Sequence, residues 1–169
     1  SQQLIFQNRT IDSVTTWKCL GVHLNSKCNS DTHAIEVSKR CSYPISLIRR
    51  LASFPTIKFP QLKQISAALV ENLVLYASEA WGCFLSWNLN SWDRNLVERV
   101  NFKCCKAILQ VSAKTDNHGA RSEVGNLPLL HSLQRRMIKY WFSIQKRPEF
   151  IIARLINDEE YQTIGIRKE

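Results

Sequence analysis

The sequence predicts a mainly α protein, a multi-helix bundle with a small β-hairpin at its N-terminus. Three observations carry that prediction. Apolar residues recur at helical spacing over most of the 169 residues from Asp31 onward. The strand-like runs, Leu4-Ile5-Phe6 and Trp17 to Leu24, both lie ahead of that point. With 44% hydrophobic residues, five Gly and five Pro, the chain has the apolar content of a packed core and too few breakers for a linker-rich or low-complexity protein.

Polar residues at 8–10 and 12–16 separate the two strands, so a hairpin is the simple reading. Two-residue periodicity puts Leu20, Val22 and Leu24 on one face of the second strand and Cys19, Gly21 and His23 on the other. Gly21 either admits close approach of another backbone or marks a bulge or packing gap. From Asp31 the pattern is helical, with Cys41, Ile45, Ile48 and Ala52 on one face at spacings of four, three and four. Pro44, lacking an amide hydrogen, predicts a kink or split there, and Pro60 suits the first turn of the next helix. In that helix Leu62, Ile65, Leu69, Asn72 or Leu73, and Tyr76 form one stripe, while Ala67, Val70, Val74, Ala77 and Trp81 form another. Apolar residues on two sides predict a central helix, ended by Gly82.

Asn90 or Ser91 is the expected cap of a helix burying Leu96, Val100, Cys104, Ile108 and Val111, with Arg99, Lys103 and Lys106 away from the buried centre. A short helical turn is expected over 119–124. Pro128 then opens a helix with Leu130, Leu133, Met137, Trp141 and Ile144 inward and Arg135, Arg136 and Lys139 on the flank. Lys146 and Arg147 complement its C-terminal dipole and Pro148 stops it. A last helix over 149–157 and a charged tail over 158–169 complete the reading.

Twenty-three Lys and Arg against 14 Asp and Glu give a formal charge of +9, whose field attracts polyanions and weakens with salt. Nucleic acid is the natural partner class. Basic residues interleave with aromatics most densely between Gln134 and Arg147, where Arg135, Arg136, Lys139, Lys146 and Arg147 accompany Tyr140, Trp141 and Phe142. Trp141 is in register with the apolar face, which leaves Tyr140 as the stacking candidate. A second basic set, Lys39, Arg40, Arg49 and Arg50, sits on the first long helix. Its contacts with nucleic acid would be electrostatic and shape-dependent, and the bland alternative for both sets is a solvated helix face.

Other chemistry is thin. The six cysteines contain no C-x-x-C pair, and a chain able to build its own core needs no disulfide framework, so reduced thiols in an intracellular compartment are expected. His23, Cys28 and His33 are evenly spaced, but the spacing matches no common zinc site and lacks a fourth ligand, so no metal site is assigned. Glu79 and Glu123, flanked by apolar or small residues, read as partly buried acids paired with a cation or as helix caps. Ser78, Cys104 and His131 form no nucleophile motif, and no catalytic residue is assigned. The densest apolar stretch, Ala67 to Leu75, is broken by Glu71 and Asn72 and is too short for a membrane span. No secretory signal pattern opens the chain, and Ser as first residue suggests a start inside a longer protein.

Several segments also occur in a familiar order. They are Trp17-Lys18-Cys19-Leu20-Gly21-Val22, Leu75-Tyr76-Ala77-Ser78-Glu79-Ala80-Trp81-Gly82, and Phe102-Lys103-Cys104-Cys105-Lys106-Ala107-Ile108-Leu109-Gln110-Val111. After a Thr115-Asp116-Asn117 turn come Glu123-Val124-Gly125-Asn126-Leu127-Pro128-Leu129 and Arg136-Met137-Ile138-Lys139-Tyr140-Trp141. As a set they resemble the primer-grip, thumb and post-thumb region of reverse transcriptases of non-LTR (LINE-type) retrotransposons. The resemblance covers roughly residues 4 to 145 and departs at Cys19 (an aromatic in the family), Gln110 (Gly) and Val124 (Leu).

The resemblance implies a hairpin over 1–30 at the end of a palm, with Trp17, Lys18, Leu20 and Gly21 as primer-grip-like residues, thumb-like helices over 31–112 and post-thumb helices over 113–157. It implies an RNA/DNA hybrid or DNA as partner, held by Lys39, Arg40, Arg49, Arg50, Arg99, Lys103, Lys106, Arg135, Arg136, Lys139 and Tyr140. Other regions of the parent polymerase are further partners, with no membrane, in nucleus and cytoplasm. The parent activity would be RNA-directed DNA synthesis primed from nicked target DNA. Its metal-binding aspartates belong to a palm outside this sequence, whose own five aspartates, at 12, 31, 93, 116 and 158, include no adjacent pair. No cofactor is therefore expected in this segment, Mg²⁺ being confined to that palm, and no polymerisation by it alone. Two rival readings stay open: a domesticated retroelement fragment serving as a structural or protein-interaction module, and an unrelated helical nucleic-acid-binding domain.

Overall fold

A computed structural model of the chain describes residues 4–6, 9–11, 14–27, 30–82 and 92–146, the first two stretches as backbone only. The architecture is mainly helical with β-hairpins at the N-terminus. Strands β1 (Leu4–Phe6) and β2 (Arg9–Ile11) pair antiparallel, Leu4 opposite Ile11. Strands β3 (Thr16–Cys19) and β4 (Val22–Asn25) form a second antiparallel pair, with Cys19 opposite Val22.

The single strand expected from Trp17 to Leu24 is thus two strands. Leu20 (φ 46°) and Gly21 (φ 87°) make a two-residue turn with both residues left-handed, the backbone geometry that lets a tight hairpin keep its twist. The turn also undoes the expected apolar face. Val22 is buried, Leu24 is exposed, and Leu20 stands at the tip, 87% exposed.

Helix α1 (Asp31–Ala52) runs unbroken through Pro44, so the predicted split does not occur. It buries Ala34, Val37, Cys41 and Ile48. Helix α2 (Phe59–Ser66) starts where the Gln61 side chain accepts a hydrogen bond from the Lys58 amide at 2.7 Å. It continues through a π-helical turn (Ala67–Glu71) into the short α3 (Asn72–Val74), and Ala77 in the left-handed region (φ 50°) separates α3 from α4 (Ser78–Trp81). This run is not the central helix. Val70, Val74 and Trp81 are buried, whereas Leu69, Leu73 and Tyr76 face outward.

The central helix is α5 (Leu96–Ile108), buried almost all round, with Arg99 and Lys103 on its exposed strip. Asn95 caps it by accepting from the Val97 amide at 2.9 Å; the anticipated caps Asn90 and Ser91 fall outside the described residues. Gln110 (φ 56°) closes it in the left-handed region, with the Val111 amide reaching back to the Lys106 carbonyl. Helix α6 (Asn117–Val124) is capped by Asp116, whose carboxylate accepts from the Gly119 amide at 2.6 Å; that bond holds Asp116 below its ordinary pKa. Gly125 (φ 68°) ends α6, and the Asn126 amide returns to the Arg121 carbonyl.

Helix α7 (Leu129–Gln145) buries Leu129, Leu130, Leu133 and Ile144, with Met137 and Trp141 half-buried, as its periodicity predicts. The stop signals Arg147 and Pro148, the 149–157 helix and the tail lie outside the described residues. The core joins α1, the buried side of α2 and α3, α5 and the start of α7. Among the described residues no helix is long and apolar enough to cross a membrane.

Candidate nucleic-acid interface

The packing of α1 on α5 leaves a groove of about 520 Å³ along their outer edge. Arg49 from α1 and Arg99, Lys103 and Lys106 from α5 line it, with Ser42, Ser46 and Asn117. Among the described residues no carboxylate lines it. Arg99 and Lys103 meet there because residues four apart share a helix face, and this is the one face of α5 left open to solvent. Two groups of cations some fifty residues apart in sequence, Arg49 and the α5 pair, thus share one concavity, and like charges held together in a groove raise its potential for anions.

Not every predicted contact belongs to this surface. Lys106, expected on the solvent flank, is instead 7% exposed, and its Nζ donates to the Ala113 carbonyl at 2.8 Å, tying the α5–α6 loop down. The physical reason is its place in the last turn of α5, where the chain folds back over it. Lys39 pairs with Glu36 at 2.7 Å across one turn of α1. Arg40 and Arg50 are exposed but outside the groove lining.

The α7 set disperses. Arg136 is half-buried and donates through Nη1 to the Leu75 carbonyl at 2.9 Å, where it closes the carbonyl end of α3. That is a structural duty, not the solvent flank expected. Arg135, Lys139 and Tyr140 are exposed, and Arg135 and Lys139 share the outer face with Ile138 and Phe142.

The primer-grip-like residues divide as well. Trp17, 63% exposed, and Lys18 face solvent. Gly21 is covered by a side chain: a Cβ there would lie 3.1 Å from Tyr76 Cε1, and the Tyr76 hydroxyl donates to the Leu20 carbonyl at 3.0 Å. The close neighbour is an aromatic ring, not a second backbone. Elsewhere the hairpin meets α1, where the His23 amide donates to His33 Nδ1 at 3.3 Å and Asn25 Nδ2 donates to Thr32 Oγ1 at 3.2 Å. His33 lies against Trp81 and is pushed down to about 4 by burial, then by His23 and Arg40.

The sequence reading missed the group that organises the other half. Glu98 is fully buried and accepts four hydrogen bonds: from Trp92 Nε1 (2.6 Å), the Leu129 amide (2.8 Å), Arg121 Nη1 (2.9 Å) and Asn101 Nδ2 (3.0 Å). All four partners donate, which an acceptor-only carboxylate can satisfy. Arg121 also lies 5.2 Å from the centroid of the Phe102 ring, beside the groove. The signal was present in sequence as an acid on an otherwise buried helix face, with Asn101 and Cys105 following at three and seven. Glu123, by contrast, is exposed, and Glu79 half-buried; neither forms an ion pair among the described residues.

No protein-family model, curated protein or solved structure matches this chain.

Reactive groups are few. Burial pushes the Cys41 and Cys105 thiols up to about 11 and Cys104 up to about 12, far from the thiolate a nucleophile needs. Among the described residues no group of three or more His, Cys, Asp or Glu is placed to hold a metal ion; His23 and His33 come within 6.4 Å, ring to ring, while Cys28 lies outside the described residues.

Proposed function

We propose that this chain is the thumb and post-thumb portion of a non-LTR retrotransposon reverse transcriptase, and that its α1–α5 groove holds the phosphate backbone of an RNA/DNA hybrid or DNA. The observation that carries the binding reading is the convergence of Arg49, Arg99 and Lys103 on one groove without a lining acid among the described residues. Cations so arranged neutralise phosphates, release counterions and read no base. The family reading draws support from the way the resembling segments meet. Tyr76 of the second packs on the Leu20–Gly21 turn of the first, and Arg136 of the last closes on Leu75 of the second. Segments that touch across 56 and 61 residues form one unit, as parts of one ancestral scaffold would. Template copying and its metals would belong to a palm outside this sequence.

The test is binding of the purified chain to labelled RNA/DNA hybrid, duplex DNA and single strands across a salt series. Hybrid or duplex binding that weakens with salt, and whose log-log salt slope falls by about three when Arg49, Arg99 and Lys103 are all changed to Glu, is the expected result. Absence of binding at low salt overturns it.

A second reading, a protein-interaction module, is favoured by the exposed Ile138 and Phe142 beside Arg135 and Lys139 on α7. It predicts that Arg135→Glu with Lys139→Glu breaks a protein contact and leaves nucleic-acid affinity unchanged.

A further inference from the structure

A second cavity, of about 270 Å³, lies between the π-helical turn, α5 and the segment joining α6 to α7. The π-helical turn brings Val70 and Glu71 to its wall, and such turns inside helices mark functional sites more often than regular helix does. Its hydrogen-bonding capacity is lopsided. Ser66 spends its hydroxyl proton on the Lys63 carbonyl, Asn101 spends its amide on Glu98 and Leu127, and Asn126 spends its amide on Cys105 Sγ. What remains is the Asn126 side-chain oxygen with its second N–H, the Ser132 hydroxyl and the Glu71 carboxylate. Neither the Ser132 nor the Glu71 side chain has a hydrogen-bond or ion-pair partner among the described residues, and no Lys or Arg is among the described lining residues, although Lys63 Nζ lies 3.7 Å from where a Cβ on lining residue Gly125 would sit.

Glu79 and Glu123 also lack an ion pair among the described residues, but of the three only Glu71 lines a cavity whose other side chains include hydrogen-bond acceptors. A half-enclosed cavity whose free groups mostly accept, with one full negative charge, calls for a ligand that mostly donates and is positive. We propose that it is a receptor for a basic side chain, the guanidinium of an arginine or the ammonium of a lysine presented by a partner polypeptide, with Glu71 as counter-ion. The aliphatic stem of such a side chain would run along Val70 and Val74, and the planar donors of arginine match the carboxylate two to two. This site is separate from the α1–α5 groove and does not depend on what that groove binds.

The experiment is an amide chemical-shift titration of the full chain with N-acetyl-arginine amide, and with the isosteric but neutral citrulline amide as control. Saturable shifts at Glu71, Asn101 and Asn126 are expected with the arginine probe and not with citrulline. Glu71→Gln should weaken binding at least tenfold with an unchanged thermal midpoint, since the substitution keeps the side chain's shape and the Glu71 carboxylate makes no hydrogen bond or ion pair among the described residues. Ser132→Phe, which plugs the cavity from α7, should do the same, and the Arg99→Glu groove variant should titrate like the parent. Equal binding of citrulline, equal affinity in Glu71→Gln, or no saturable shift over the solubility range of the probe overturns the proposal.

Discussion

The β3–β4 hairpin and the α5–α7 region are fastened to the same helical body by opposite chemistry. Around Glu98, a buried carboxylate gathers an indole, an amide side chain, a guanidinium and a helix-opening backbone amide. The hairpin is held by buried Val22 and by neutral hydrogen bonds, among them Tyr76 to Leu20, His23 to His33, and Asn25 to Thr32. A neutral bond contributes about 1 kcal/mol net, whereas a buried charge stripped of its partners costs several. The difference teaches where the molecule can open. The hairpin can leave with its helices intact, but the α5–α7 side comes apart only as a whole.

The sharpest way to break that contrast is Glu98→Ala, which strips Trp92, Asn101 and the Leu129 amide of their shared acceptor and leaves Arg121 with Asp93 at 3.7 Å as its carboxylate. Global stability should fall by about 3–5 kcal/mol in urea unfolding, with α6 and α7 losing hydrogen-exchange protection together. A loss under 1 kcal/mol would mean that water replaces the carboxylate and that the network does not hold this side.

Acid should act on the hairpin instead. His33 must keep Nδ1 unprotonated to accept the His23 amide, and its folded pKa of about 4 lies below the ordinary 6.5. A group that binds its proton less readily when folded contributes fully above pH 6.5, loses that contribution as pH falls toward 4, and loses no more below it. The contribution lost is that of the contact joining β4 to α1, so acid should loosen β3–β4 first. Hydrogen exchange at His23 and Asn25 should rise between pH 6.5 and 4 while α5 stays protected, and His33→Gln should flatten that rise.

Two smaller changes sharpen the comparison from each side. Gly21→Ala forces a Cβ into the left-handed region and against Tyr76, and should cost about 1–2 kcal/mol of hairpin docking, read from local exchange. Gln110→Gly relieves a left-handed side-chain residue at the end of α5 and should add about 1 kcal/mol to global stability.

Gln110 also shows how the sequence could be read and where it could not. The sequence carried the helix on through Val111, whereas it ends at Ile108 and turns at Gln110; the departure from the glycine of the resembling pattern was legible there, and the φ of 56° supplies the reason glycine suits the position. Helical periodicity likewise gave the inward residues of α7, because one apolar stripe against a flat neighbour leaves little freedom. It misjudged the 59–82 segment, where two stripes suggested a central helix. Periodicity marks both stripes alike, and only packing shows that α1 and α5 cover one and leave Leu69, Leu73 and Tyr76 outside. The Trp17 to Leu24 run misled because a turn with leucine at its first left-handed position carries no turn signature beyond a lone glycine.

Among the cations, charge and spacing identified candidates but not their duties. Arg49, Arg99 and Lys103 reach one groove, while Lys106 and Arg136 are committed to backbone carbonyls. A lysine that ties down a loop and one that faces solvent look the same in sequence, since the distinction rests on where a carbonyl several residues away comes to lie.

The reach of the Glu98 contacts has a kinetic side. Its partners lie between six residues before it and 31 after it, whereas Tyr76 meets Leu20 across 56 residues and Arg136 meets Leu75 across 61. Short chain closures lose less entropy and form sooner, so a refolding chain would assemble α5, α6 and the start of α7 around their carboxylate before those two long closures are made. The hairpin reaches α1 across only ten and seven residues and can settle there as early, so that only its Tyr76 clamp waits for α3 to be in place.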